Sequence, residues 1–141
     1  MRIWKTEMIL LLSMTAIAPP LKEGGPTEWP LERIVKNLEQ QLAAAPYVGE
    51  AHYNLGRAYA FAFTLKRSTL WTRGDWIDDL HKQDRKSSKP VDPALQLPPP
   101  SEDERLVQLA QGMNHLLRAC ELAPTETRFH LTLAWLLETG A

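Results

Sequence analysis

Leu31, Ile34, Val35, Leu38 and Leu42 recur at intervals of three and four, the spacing that lines one face of an α-helix. Pro30 suits a first helical turn, where its missing N–H has no intrahelical partner, Thr27 is a candidate cap, and Pro46 closes the far end. The pattern predicts a helix over 28–44. Ala51, Leu55, Ala58, Tyr59 and Ala62 continue the same spacing and predict a second helix from Val48, with Gly74 as its furthest limit. Ser101-Glu102-Asp103-Glu104 places a hydroxyl cap three residues ahead of a carboxylate, so each side chain can take an orphaned backbone N–H. Leu106, Leu109, Met113, Leu116, Leu117 and Cys120 follow it at helical spacing as far as Pro124. Phe129, Leu133, Trp135, Leu136 and Leu137 mark a last helix before Gly140. Four helices and no strand result. Connections as short as Pro46-Tyr47-Val48 and Pro124-Thr125-Glu126 fold neighbouring helices back on each other, which predicts an all-α array of antiparallel helix hairpins over 28–141.

Residues 66–101 interrupt this periodicity. They hold Leu70, Trp71, Trp76, Ile77 and Leu80, then a run to Pro98-Pro99-Pro100 that reads as extended and polyproline-like. Seven Lys/Arg and five Asp between Lys66 and Asp92 are mixed in sign and read as solvated surface. Trp71 and Trp76 either form a binding patch or pack on the flank of the helices. The tri-proline either docks on an aromatic groove or acts as a spacer.

Residues 1–20 add a different signal. Arg2 and Lys5 precede an apolar run from Met8 to Ala18, which ends in Ala16-Ile17-Ala18, the layout of a secretory signal. As a helix the run is about 16 Å long, too short for a hydrocarbon core of about 30 Å, so no stable membrane span is expected. The expectation is export to a periplasmic or extracellular location. Pro19 directly after Ala18 disfavours cleavage there; the alternatives are retention by an uncleaved segment, or a cytoplasmic location in which residues 1–20 are a short amphipathic start or the chain initiates at Met8 rather than Met1.

Charge and chemistry narrow the function classes. With 16 Lys+Arg against 17 Asp+Glu the chain offers no net basic field, and no nucleic-acid partner is expected. One cysteine, Cys120, excludes an intramolecular disulfide and any CxxC site, and it reads as a small buried hydrophobe. His52, His81, His115 and His130 form no HExxH or HxxxH pair, and there is no Gly-rich phosphate loop and no GxSxG. His81 beside Asp78, Asp79 and Asp84 would at best bind a divalent ion weakly. No enzyme activity, no cofactor and no metal are expected.

Leu55-Gly56-x2-Tyr59, nine residues after Pro46, resembles the first helix of a tetratricopeptide repeat. The segments before Pro46 and before Pro124 resemble second helices, with Ile34 and Leu38 in one frame and Gly112 and Leu116 in the other. After Pro124, His130, Leu133, Ala134 and Leu137 reproduce the spacing of His52, Leu55, Gly56 and Tyr59. The two prolines stand 78 positions apart, against about 34 in the uninterrupted repeat, so the insert would split one repeat between its two helices.

The resemblance implies a non-catalytic scaffold whose first helices line a concave groove for a protein or peptide partner. Carried over by register, Glu50, Tyr53, Asn54, Arg57 and Phe61 from one helix and Arg128, Leu131 and Thr132 from the other face that groove. Asn54 and Arg128 coincide with positions that some repeats use to hold a peptide carboxylate. No second helix follows to cover Leu133 and Leu137, which leaves an open edge for a partner, a second copy or further repeats. The alternative function is a structural or assembly subunit of the cell envelope, acting by self-association or docking through the insert and that C-terminal helix.

Overall fold

The computed structural model describes residues 27–72 and 97–141, which fold as four helices and one two-stranded sheet. Strand β1 spans Thr27–Pro30 and helix α1 Leu31–Ala44. Helix α2 spans Gly49–Leu65 and strand β2 Thr69–Thr72. Helix α3 spans Glu102–Leu122 and helix α4 Thr127–Gly140. The all-α class with antiparallel hairpins is therefore present, with a small sheet added to it.

The sheet corrects the expected start of the first helix. Residues 27–30 pair antiparallel with 69–72, placing Thr27 opposite Thr72 and Trp29 opposite Leu70. Both segments are rich in Thr and Trp, residues that favour a pleated surface. The amide of Leu31 then donates to the Ser68 carbonyl at 2.9 Å, so the ladder runs into the first helical residue. Pro30, not Thr27, is the N-cap, and no side chain caps α1.

Helix α2 stops well short of Gly74. Lys66 adopts a left-handed conformation at φ 53°, ψ 46°. Its amide donates to the Phe63 carbonyl, while the Arg67 amide donates to the Ala62 carbonyl. This is the paired closure of a Schellman motif. It turns the chain directly into β2, so residues 66–72 belong to the folded body rather than to an irregular insert. The start of α3 is as expected: Ser101 Oγ accepts from the Glu104 amide and Glu104 Oε2 accepts from the Ser101 amide.

Helix α2 is the central element. Its Leu55, Ala58 and Ala62 pack with Ile34, Val35 and Leu38 of α1 and with Trp29 and Leu70 of the sheet. Its Tyr53, Ala60 and Phe63 pack with Leu116, Ala119 and Cys120 of α3 and Phe129 and Leu136 of α4. Small residues permit this double coverage. A β-carbon on Gly56 would lie 3.1 Å from the Gly112 carbonyl oxygen, a measure of how closely α2 and α3 approach.

The corners before α2 and α4 repeat each other. The helix preceding each ends at an alanine of matching dihedrals, Ala45 at φ −141°, ψ 63° and Ala123 at φ −139°, ψ 73°. Val48 donates to the Ala45 carbonyl and Ala51 to Val48; Glu126 donates to Ala123 and Phe129 to Glu126. His52 Nε2 bonds the Pro46 carbonyl at 3.1 Å, and His130 Nε2 bonds the Pro124 carbonyl at 2.8 Å. The second corner is thus a copy of the first, 78 positions on.

Candidate functional site

Tyr53, Arg57 and Phe61 follow one another at i, i+4 and i+8 on α2, and Leu131, Thr132 and Trp135 occupy the adjoining face of α4. Together they line an open groove of about 370 Å³. The helical period dictates both stripes, since residues four apart stand one above the other on a helix surface.

Three contacts give the groove its shape. Thr132 Oγ1 donates to the Arg128 carbonyl at 2.9 Å, which uses its single proton, so the Tyr53 hydroxyl donates to Thr132 Oγ1 across 3.2 Å. The Tyr53 ring stacks on Phe129 with centroids 4.5 Å apart. At the opposite end Phe61 meets Trp135 at 5.6 Å and an interplanar angle of 54°. Between these ends the Arg57 guanidinium carbon lies 5.8 Å from both the Tyr53 and the Phe61 ring centroids. The floor is therefore aromatic, with one cation held over two π-faces.

Arg128 stands at the Tyr53 end, its guanidinium carbon 5.3 Å from that ring and 5.1 Å from the Phe129 ring. Its Nε donates to Glu126 at 3.1 Å, and its two terminal nitrogens donate to the two carboxylate oxygens of Glu50. Hydrogen bonding to Glu126, reinforced by the neighbouring Glu50 and Glu126 charges, raises its pKa above the usual arginine value. Three of its donors are thus already taken by side chains of this protein, which leaves a peptide carboxylate a reduced fork.

Of the residues expected in the groove, Tyr53, Arg57, Phe61, Leu131 and Thr132 come together. Asn54 is half-buried and does not line it. Glu50 and Arg128 pair with each other at its end. Trp135 is the member that the carried-over register omitted, because a Trp in an amphipathic helix reads as core. Its position four after Leu131 on the groove stripe was the available signal. Trp71 is 55% exposed on β2, opposite Glu28, so it does not cover the flank of the helices; its neighbour Leu70 does. Trp76, His81 and the aspartates around His81 lie outside the described residues.

A second cavity of about 570 Å³ lies between Leu31, Ser68, Pro98-Pro99-Pro100 and the first turns of α3. The tri-proline is its wall, fixed by Ser68 Oγ donating to the Pro98 carbonyl at 2.7 Å. Gln108 lines it and is 7% exposed; its Oε1 is buried without a hydrogen-bond partner.

His52 and His115 join α2 to α3. The Nε2–H of His52 donates to the Pro46 carbonyl, so its Nδ1 is the acceptor for His115 Nδ1–H at 3.2 Å. Burial first, and the neighbouring His52 charge second, push the His115 pKa below its ordinary 6.5. Tyr59 stacks over the His115 ring at 6.4 Å. Cys120 is a free, buried thiol whose pKa burial raises, the opposite of what a nucleophile needs.

Among the described residues no group of three or more His, Cys, Asp or Glu could hold a metal ion. No described helix is long and apolar enough to cross a membrane. No family model, no curated protein and no solved structure matches this chain.

Proposed function

We infer that the protein is a non-catalytic binding module, and that the groove between α2 and α4 receives a short peptide segment of a protein partner. The observation that carries this reading is the Tyr53–Arg57–Phe61 stripe facing Leu131 and Trp135. Aromatic anchors and arginine, placed on two rigid helices, are the residue types that dominate binding energy at protein interfaces. The fitting segment carries an apolar side chain for the Phe61–Trp135 end and an acidic group for Arg57.

The repeated corners at Ala45–His52 and Ala123–His130 support the tetratricopeptide-like reading, because a repeat predicts the same hydrogen bonds at the same offsets. Export remains a proposal resting on residues 1–20, which lie outside the described residues.

A random peptide library displayed on phage, selected on the full chain, tests the groove. The expected result is an enriched motif combining an acidic and a large apolar residue. Its synthetic peptide binds the parent and loses at least about tenfold in affinity, or about 1.4 kcal/mol, for Arg57→Glu and for Trp135→Ala. Peptides that bind parent and both variants alike would place recognition elsewhere. Circular dichroism of the variants separates lost binding from lost fold.

A further inference from the structure

The face of α4 turned away from the core is formed by Thr127, His130, Leu131, Ala134, Leu137 and Glu138, all of them exposed. Leu131 is 65% and Leu137 47% exposed. The opposite face carries Phe129 and Leu136, at 1% and 0% exposure, so α4 is apolar on both sides. The outer residues are symmetric about Ala134. Leu131 and Leu137 stand three positions before and after it, and His130 and Glu138 four.

We propose that this face pairs with the same face of a second copy of this chain, the two α4 helices crossing antiparallel at Ala134. A two-fold axis through Ala134 sets Leu131 of each copy against Leu137 of the other, and His130 against Glu138. The small Ala134 side chains meet at the crossing, where close approach is required, much as Gly56 and Gly112 face each other between α2 and α3.

The charges of α4 favour the same orientation. Its first turn holds no acidic residue and its last turn no basic one; the last turn instead holds Glu138, at the negative end of the helix dipole. The Glu126 cap is already bonded to Arg128. Antiparallel pairing moves the partner's Glu138 to the positive N-terminal turn beside His130, which reverses an unfavourable placement in both copies at once. A parallel pair would instead stack Glu138 on Glu138. The patch is one face of a single 14-residue helix, so the expected dimer is weak and reversible, unlike durable interfaces of roughly 1,000 Å² or more. This surface is separate from the α2–α4 groove except for Leu131, which borders both, and the proposal does not depend on the groove's ligand.

Sedimentation equilibrium of the full chain from about 10 µM to about 1 mM tests it, the range suited to a micromolar dissociation constant. The expected result is a monomer–dimer equilibrium that Ala134→Arg weakens at least tenfold, with helicity and melting temperature unchanged. Register is read by oxidative cross-linking. Ala134→Cys cross-links to itself. Leu131→Cys and Leu137→Cys chains cross-link when mixed, and each does so poorly alone. A chain that stays monomeric throughout, a dimer indifferent to Ala134→Arg, or equal cross-linking by all three cysteine variants would each overturn the proposal. The first would assign the face to a different occupant, and the second and third would move or reorient the interface.

Discussion

The amide nitrogen of Leu116 lies 3.0 Å from the point where a β-carbon on Gly56 would stand, and the Leu116 Cγ lies 2.8 Å from it. Leu116 is fully buried, at 0% exposure, so it cannot swing out into solvent. Gly56→Ala gains up to about 1 kcal/mol of helix propensity but forces the α2–α3 seam apart, and overpacking of this kind costs about 1–3 kcal/mol. A net loss of about 1 kcal/mol is expected, with a melting temperature lower by about 4 °C. Gly112→Ala meets chiefly the terminal Cδ2 of Leu136 at 3.1 Å, while the nearest backbone atoms are at 3.4 Å. Thermal melts should therefore rank Gly112→Ala above Gly56→Ala. Equal melting temperatures would show that the seam tolerates separation.

Lys66 is the only non-glycine residue with positive φ among the described residues. A left-handed conformation costs an L-residue with a β-carbon about 1–2 kcal/mol, and glycine pays none of it. Its added freedom in the unfolded chain offsets part of the gain. Lys66→Gly is expected to stabilise the protein by about 0.5–1 kcal/mol, read as a higher urea midpoint at unchanged slope. No change in midpoint would mean that the Lys66 side chain contributes as much as its backbone costs.

These two positions also show which parts of the fold the residues announce. Ser101 and Glu104 cap α3 through a pattern written within four consecutive positions, so the boundary is legible by eye. The end of α2 is not, because a lysine in the αL cap carries no signature; glycine would have. Thr27–Pro30 reads as a helix start since Pro30 suits a first turn, whereas its strand partner, Thr69–Thr72, lies some forty positions away and leaves no local trace. In the groove, Tyr53, Arg57 and Phe61 are legible from helical period alone once α2 is placed. Which residues of α4 face them depends on how α4 docks, and the Arg128–Glu50 pair, like the Tyr53–Thr132 hydrogen bond, joins distant parts of the chain.

The His52–His115 contact makes stability depend on pH. Protonating His115 leaves its Nδ1–H free to donate to His52 but puts a positive charge in a half-buried position beside a second imidazole, which burial disfavours. The His115 pKa is depressed in the folded state, hence the unfolded chain binds more protons as pH falls. The stabilisation is fully present above the unfolded value of 6.5 and is lost as pH drops through the lower folded value. Urea midpoints should be flat above about pH 7 and fall below about pH 6.5, a decline that His115→Phe flattens. An equal decline in that variant would assign the effect to other groups.

Gln108 buries 93% of its surface against the wall of the larger cavity, while its Oε1 has no hydrogen-bond partner. A buried carbonyl oxygen that loses water without replacement costs about 1–3 kcal/mol. An apolar side chain of similar size removes that cost, and the neighbouring walls, Leu31, Val107 and Pro100, are themselves apolar. Gln108→Leu is expected to stabilise the protein by about 1 kcal/mol, with a melting temperature higher by about 4 °C. Gln108→Glu carries the opposite expectation, since it puts a charge where even a neutral oxygen is unpaired and where Glu32, Asp103 and Glu104 line the same cavity. Its loss should be largest above about pH 5 and recover as the carboxyl is protonated. Stabilisation by the glutamate, or destabilisation by the leucine, would show that a hydrogen-bond donor occupies this wall in solution.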